Sequence, residues 1–317
     1  MKGALLINKS AGISSFGVIE SLQQELIRAG VPRRQLPKMG HGGTLDPFAT
    51  GLLIVLVGGA VKLARYFLGE LKAYEGTLRL GETTVSGDYT NPISETCSVV
   101  PQSLTELQEK TSIFTTQPYL QTPPMHSAKK RNGQPLYKLA RAGIEVERTP
   151  KVCQIYDFNI LSYELPRAQF HVKCSSGTYV RTLAQDFAKT LHSLALLESL
   201  HRSASGIFSI DQAWTFEQIA AAGPQAWEQL PCWVPFDRLL AGYSCSHITA
   251  EEHQFLVHGK QEVLDQILPR VQASPHDTLQ KMDYITLYHQ DTLVGVAHKD
   301  AGTWRIERVF IHPAENQ

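Results

Sequence analysis

The stretch GHGGTLDPFATG at residues 40–51, followed at once by LLIVLVGGA at 52–60, sets the reading of the whole chain. The first half is a loop punctuated by glycines, and the second is an apolar run. Pro47 restricts Asp46 to extended backbone angles, while the glycines permit turns that a side chain would block. A loop of this kind can hold one carboxylate at the mouth of a pocket. Taken by itself the fragment also fits an ordinary Asp-Pro turn.

Upstream, Ala4 to Ile7 is short and apolar, as a buried strand would be. Ser14 or Ser15 then offers a helix N-cap, Val18, Leu22 and Leu26 recur at helical spacing, and Gly30 closes the segment. A basic loop with Arg28, Arg33, Arg34 and Lys38 follows, kept irregular by Pro32 and Pro37. Downstream, YEGTLRL from Tyr74 alternates, which puts Tyr74, Leu78 and Leu80 on one strand face. The Tyr74 ring is either plain core or a surface on which a nucleobase stacks, worth about 1–3 kcal/mol per base. Residues 81–100 read as loop.

A second chemistry-bearing fragment is CSSGTYVRTLAQDF at 174–187. If Thr178 to Arg181 is extended, Tyr179 and Arg181 share a face. A buried arginine needs an anion, and Asp46 is the candidate; such a pair would orient the carboxylate and keep it ionised. The alternative partner is Asp186, on the amphipathic helix read over Thr182 to Leu194. Between these fragments, residues 117–151 are first broken by proline, then basic and partly helical from about Leu136. Lys129, Lys130, Arg131, Lys138, Arg141, Arg148 and Lys151 surround Tyr137. Basic residues with an embedded aromatic suit an RNA backbone and its bases; a solvated charged helix is the other reading. Strands are expected near 152–163 and 168–174, and helix-prone sequence over 214–240. A short helix near Glu251 to Leu256 precedes strands at 283–289, 292–298 and 303–311, with a turn at His289-Gln290-Asp291.

The 317 residues suggest two domains, divided at 1–242 and 243–317. Hydrophobic content of 43% fills a globular core, and 30 basic residues balance 30 acidic ones, so any contact with nucleic acid must use local patches. Five scattered cysteines with no C-x-x-C spacing argue against a disulfide framework or zinc knuckle. The start lacks a signal-peptide core and no apolar run is long enough for a bilayer, so a reducing cytoplasm is expected. GHGGT lacks the lysine of a P-loop, and neither G-x-G-x-x-G nor G-x-S-x-G occurs.

Four blocks together resemble the TruB family of tRNA pseudouridine synthases, across about residues 3–215. They are LLINKSAGISS (5–15), GHGGTLDPFATGLL (40–53), PPMHSAKKRNGQPLYKLARAGIEV (123–146) and KCSSGTYVRTLAQDF (173–187). The resemblance implies an α+β fold: a mixed, largely antiparallel sheet flanked by helices, with an RNA-gripping thumb at about 119–151. It implies a small C-terminal α/β or PUA-like domain as well. It makes Asp46 the catalytic aspartate, Arg181 its partner and Tyr74 the stacking ring. Tyr179 is implied as a second tyrosine and His41 as the histidine that enters the T-loop. Leu200 would pack on the extruded base, Lys130 would be a thumb lysine, and Arg202 is placed with the RNA-binding residues. His126 stands where tyrosine or phenylalanine is expected. The implied reaction converts uridine 55 of the tRNA T-loop to pseudouridine. It gains no atoms, so its chemistry calls for no cofactor or metal. Transfer RNA is the implied partner, with no membrane, no protein partner and a monomeric state expected.

Overall fold

A run as apolar as residues 52–57 can only be covered on both faces, and the computed structural model places it at the centre of a large sheet. The structure describes residues 1–127, 130–131, 133–144, 146–276 and 281–310. Strand β1 (Gly3–Lys9) pairs antiparallel with β3 (Thr50–Val57) along its length, from Gly3↔Val57 to Lys9↔Gly51. With β2 (Met39–His41), β4 (Lys72–Leu80), β5 (Ile155–Glu164), β6 (Arg167–Cys174), β7 (Ala195–Ser205) and β8 (Trp214–Thr215), the order is β5-β6-β4-β7-β3-β1-β8. The β7–β3 and β1–β8 pairs are parallel and the other neighbours antiparallel, so the sheet is mixed and largely antiparallel.

One detail of this topology positions the site. The edge of β3 away from β1 changes partner along its length. Thr50 and Gly51 pair with His201 and Arg202 of β7, whereas Val55 to Val57 pair with β2. The loop 42–49 leaves β2 and enters β3 where these two partners diverge, so it stands over a gap in the sheet.

Helix α1 (Ser15–Arg28) buries Val18, Ile19, Leu22 and Leu26 on the sheet. Ser14 caps it by accepting from the Gly17 amide at 2.9 Å, and Gly30 ends it with φ +90°. Helix α2 (Leu104–Thr115), capped by Ser103, was not anticipated; its Phe114 packs edge-on to Phe158 and Tyr119. Residues 81–100, expected as loop, include the paired strands Glu82–Thr84 and Ile93–Thr96. Over 214–240 helix is limited to Phe216–Ala222 and 3-10 turns, and Trp233–Pro235 is a short strand on β1.

The expectation of an extended Thr178 to Arg181 is corrected. Helix α3 spans Val180–Thr190, with Tyr179 as its N-cap residue, so Arg181 lies in its first turn. The helix stops before Leu194 because His192 takes a left-handed φ of +54°.

At the C-terminal end, β9 (Cys245–His247), β10 (Tyr284–His289), β11 (Thr292–Asp300) and β12 (Thr303–Val309) form a second sheet. Gln290 and Asp291, with φ +47° and +63°, make the two-residue turn between β10 and β11. This sheet has its own core of Ile248, Leu256, Leu264, Ile267, Ile285 and Leu287. It meets the first sheet through a buried ion pair, Lys281 Nζ to Glu70 Oε2 at 2.8 Å, and through the Tyr243 hydroxyl, which donates to Tyr66 O at 3.0 Å.

Candidate active site

The loop carrying Asp46 is held at nearly every residue. Gly42 N donates to Ile54 O at 2.9 Å, and Ala49 N to Asp46 O at 3.1 Å. Ser15, buried in the first turn of α1, fixes Leu45 twice: its Oγ accepts from Leu45 N at 2.8 Å and donates to Leu45 O at 3.1 Å. Lys9 Nζ donates to Ser10 O, Ile13 O and Pro47 O at 2.8, 2.9 and 3.3 Å. Burial pulls that ammonium down to about 8, against the attraction of Asp46. Gly51 has φ +101°, and a Cβ there would lie 2.4 Å from Arg202 O, so only glycine lets β3 and β7 meet at the loop's end.

Arg202 is expected above among the RNA-binding residues, and its surroundings correct that placement. It is 1% exposed, and its guanidinium donates to Leu52 O at 2.7 Å, Gly43 O at 3.1 Å and Thr44 O at 3.4 Å. A planar fork spent on three main-chain carbonyls pins the loop and is sealed from any phosphate. Lys72 lies beside it, its Nζ donating to Glu70 O at 2.8 Å, and burial followed by the Arg202 charge brings its ammonium down to about 8.

From the far side, α3 presents Arg181. Its Nε donates to Asp46 Oδ2 at 2.8 Å and its Nη2 to Asp46 Oδ1 at 3.0 Å, a bidentate pair. The same guanidinium donates to Ser86 O at 2.8 Å and His126 O at 2.9 Å, and Asp88 Oδ2 lies 3.4 Å from Nη1. Asp186, the alternative partner, instead binds Lys189. The asymmetry of exposure is informative: the Arg181 side chain is 4% exposed and that of Asp46 34%. The cation is sealed behind a carboxylate that still faces outward.

Burial raises the Asp46 carboxyl above its ordinary range; Arg181 acts against this, Asp88 adds to it and Lys9 opposes it. Arg181 thus favours the ionised carboxylate as expected, while burial and Asp88 work against it. Asp88 is the residue that reading the sequence missed, because 81–100 looked like featureless loop. It is buried, and its Oδ1 accepts from Ser86 Oγ at 3.0 Å and Thr90 N at 3.1 Å.

Tyr74 on β4 lies opposite Arg202 on β7, so the two side chains share a face of the sheet, and Leu200, opposite Gly76, is on that face too. Tyr74 and Leu200 are 7% and 6% exposed, and burial raises the Tyr74 phenol, leaving it neutral. Tyr179 is half-buried and fixed through its main chain, N donating to Gln121 Oε1 at 2.7 Å and O accepting from Gln121 Nε2 at 3.0 Å. Gln121 is a second residue for which the sequence carried no signal. His41 is half-buried at the end of β2, with a buried Nδ1 that finds no hydrogen-bond partner. Burial and then the charge of Arg202 lower its imidazole, which favours the neutral ring. The side chain of Lys130 lies outside the described residues. Of the other basic thumb residues, Arg148 donates to Pro123 O at 3.3 Å and Lys151 is exposed.

Solved structures of the same architecture exist. The crystal structure of a Cbf5-Nop10-Gar1 complex superposes with a TM-score of 0.71 at 19% identity, over 98% of this chain and 85% of that one. An H/ACA RNP bound to a substrate RNA containing 2'-deoxyuridine gives 0.68 at 18% identity, over 98% and 85%. These fix the fold, that of a pseudouridine synthase. Residues 32–180 match the model of the TruB family pseudouridylate synthase N-terminal domain. The tRNA pseudouridine synthase B of Burkholderia lata is 35% identical over 99% of this chain and 92% of its own length. That of Bordetella avium is 41% identical over 70% and 88%. The chain belongs to the TruB family.

Proposed function

We propose that this protein isomerises uridine 55 in the T-loop of transfer RNA to pseudouridine, with Asp46 as the reacting carboxylate. The observation that carries this is the bidentate Arg181–Asp46 pair, in which the cation is sealed and the anion remains open to solvent. Relatives named tRNA pseudouridine synthase B over most of their length support the substrate.

In the reaction the N1–C1′ bond breaks, the uracil turns, and a C5–C1′ bond forms. The proton on C5 leaves and N1 gains one, so the product is an isomer. A base stacked in a loop hides its glycosidic carbon and must be extruded, which costs a few kcal/mol. In this reading, stacking on Tyr74 and packing against Leu200 offset that cost, and a neutral His41 ring fills the space the base leaves. Thumb residues, Lys130 among them, close on the phosphates of the T-arm, and Tyr179 lines the pocket. Asp46 acts either by adding to the sugar or base, or by taking the 2′ proton to give a glycal. Arg181 orients the carboxylate for both.

We also place the enzyme in the cytoplasm as a monomer; no helix among the described residues is long and apolar enough to cross a membrane. The second sheet over 245–309 supports a division into catalytic and C-terminal domains near residue 242. The test is tritium release from tRNA labelled at uridine C5. Wild-type protein should release it and Asp46→Asn should not, with tRNA binding retained. Wild-type binding without release would identify a non-catalytic RNA-binding protein instead.

A further inference from the structure

Tyr89 follows the buried Asp88 and is itself 51% exposed. Single exposed aromatics are common on protein surfaces and need no explanation. This one differs in how it is held and where. Its amide donates to Leu197 O at 3.1 Å, tying it to the central sheet, and the next amide, of Thr90, donates to Asp88 Oδ1 at 3.1 Å. Ser86, three residues earlier, gives its carbonyl to Arg181 at 2.8 Å. The backbone beneath the ring is therefore bolted to the same guanidinium that grips Asp46.

The ring itself stands edge-on to Phe48, centroids 5.8 Å apart at 89°. Phe48 lies two residues beyond Asp46 on the same loop and is 6% exposed. On the same segment Val85, 66% exposed, lines an open groove of about 710 Å³ with Met125 and His126. An aromatic on a fixed backbone loses little freedom on binding, and its face accepts any base of a single strand.

We infer that Tyr89 is a nucleobase platform at the rim of the cleft, on which a base of the RNA strand next to the reacting uridine stacks. This rests on the reading of the cleft as a uridine site. Tyr74 would hold the extruded base and Tyr89 a neighbour that stays outside, so two bases that were stacked on one another are separated and each regains an aromatic face. Tyr89 is thus a binding residue for the strand and takes no part in bond making.

The experiment uses two T-arm hairpin RNAs, each with 2-aminopurine on one side of the target uridine. Tyr89→Ala, Tyr89→Leu and Tyr89→Phe are compared with wild type; leucine still covers Phe48 but offers no ring. Wild type and Tyr89→Phe should quench one of the two probes on binding, whereas the Ala and Leu variants should not. In steady state the Ala and Leu variants should show KM raised about 5- to 150-fold, the range for loss of one base–aromatic stack, with kcat little changed. Unchanged KM and quenching in the Leu variant would overturn the inference, as would a fall in kcat at constant KM. Absence of tritium release by wild type on intact tRNA would remove the functional reading itself, and the platform with it.

Discussion

At Asp46 the proposed chemistry rests on one carboxylate and the guanidinium that holds it. Asp46→Asn keeps size and most contacts but removes the anion, so single-turnover tritium release should fall at least about 10²–10⁴-fold. Binding of tRNA, measured by filter retention, should stay within about threefold, since the change touches no phosphate contact. Arg181→Lys replaces a planar fork with a point charge that cannot donate to both carboxylate oxygens and to Ser86 O and His126 O at once. A loss of about a hundredfold or more in kcat is expected, comparable with removing one preorganised donor from an active site. The pH dependence follows from the same group. In its proposed role Asp46 must be ionised, and its carboxyl is raised by burial, so activity should be present at higher pH and lost as pH falls through a value above the ordinary carboxylate range. Asp88→Asn removes a like charge that raises Asp46, so the acid limb of the kcat/KM profile should move to lower pH. An acid limb that stays put in this variant would contradict the assignment.

At the level of elements, the loop 42–49 is positioned by neighbours that leave no slack. Arg202 reaches from β7 to three carbonyls of the loop and the start of β3. Arg202→Met keeps the stem and leaves those acceptors unpaired, each costing about 1–3 kcal/mol where water cannot replace the donor. Urea unfolding should show that loss, and kcat should fall because the loop drifts. The salt dependence of tRNA binding discriminates this role from a phosphate contact. A residue that neutralises a phosphate changes the slope of log K against log salt by about one, whereas a sealed positioning residue leaves it unchanged. Gly51→Ala tests the same junction from the other strand: its Cβ would meet Arg202 O at 2.4 Å, and the φ of +101° is strained for alanine. Destabilisation of about 1–3 kcal/mol is expected, read as a lowered urea midpoint.

Over the whole molecule, the C-terminal sheet is seated on the first body by apolar packing, with Phe310 edge-on to Phe236 and Tyr284 to Tyr66, and by buried polar links. Lys281 and Glu70 are 4% and 9% exposed at their side chains and pair at 2.8 Å. Burying two charges costs several kcal/mol per ion, so the pair fixes how the C-terminal sheet seats more than it adds stability. Lys281→Met alone leaves an uncompensated buried carboxylate and should cost about 3–5 kcal/mol in chemical denaturation. The double variant Lys281→Met/Glu70→Gln should recover most of that loss. Because Glu70 O also accepts from Lys72, which lies against Gly43, a misplaced C-terminal sheet should be felt at the catalytic loop as a lowered kcat.

What could be read from the chain alone was whatever depends on near neighbours. The apolar runs of β1 and β3, the capped helix 15–28, the alternation around Tyr74 and the two-residue turn at 290–291 all follow from spacing and local backbone preference. The glycine-rich loop announced a held carboxylate, and the four motif blocks together pointed to its chemistry. Tertiary structure alone decided who meets whom. Arg181 and Asp46 are 135 positions apart, and no local pattern selects between Asp46 and Asp186. Asp88 and Gln121 matter only because the fold brings them to the guanidinium and to Tyr179. Arg202 looked like an RNA contact until its surroundings showed it turned inward, and Arg181 proved helical where the spacing suggested a strand. The reason is physical: local sequence sets backbone angles, whereas a buried charge takes the partner that long-range packing delivers to it.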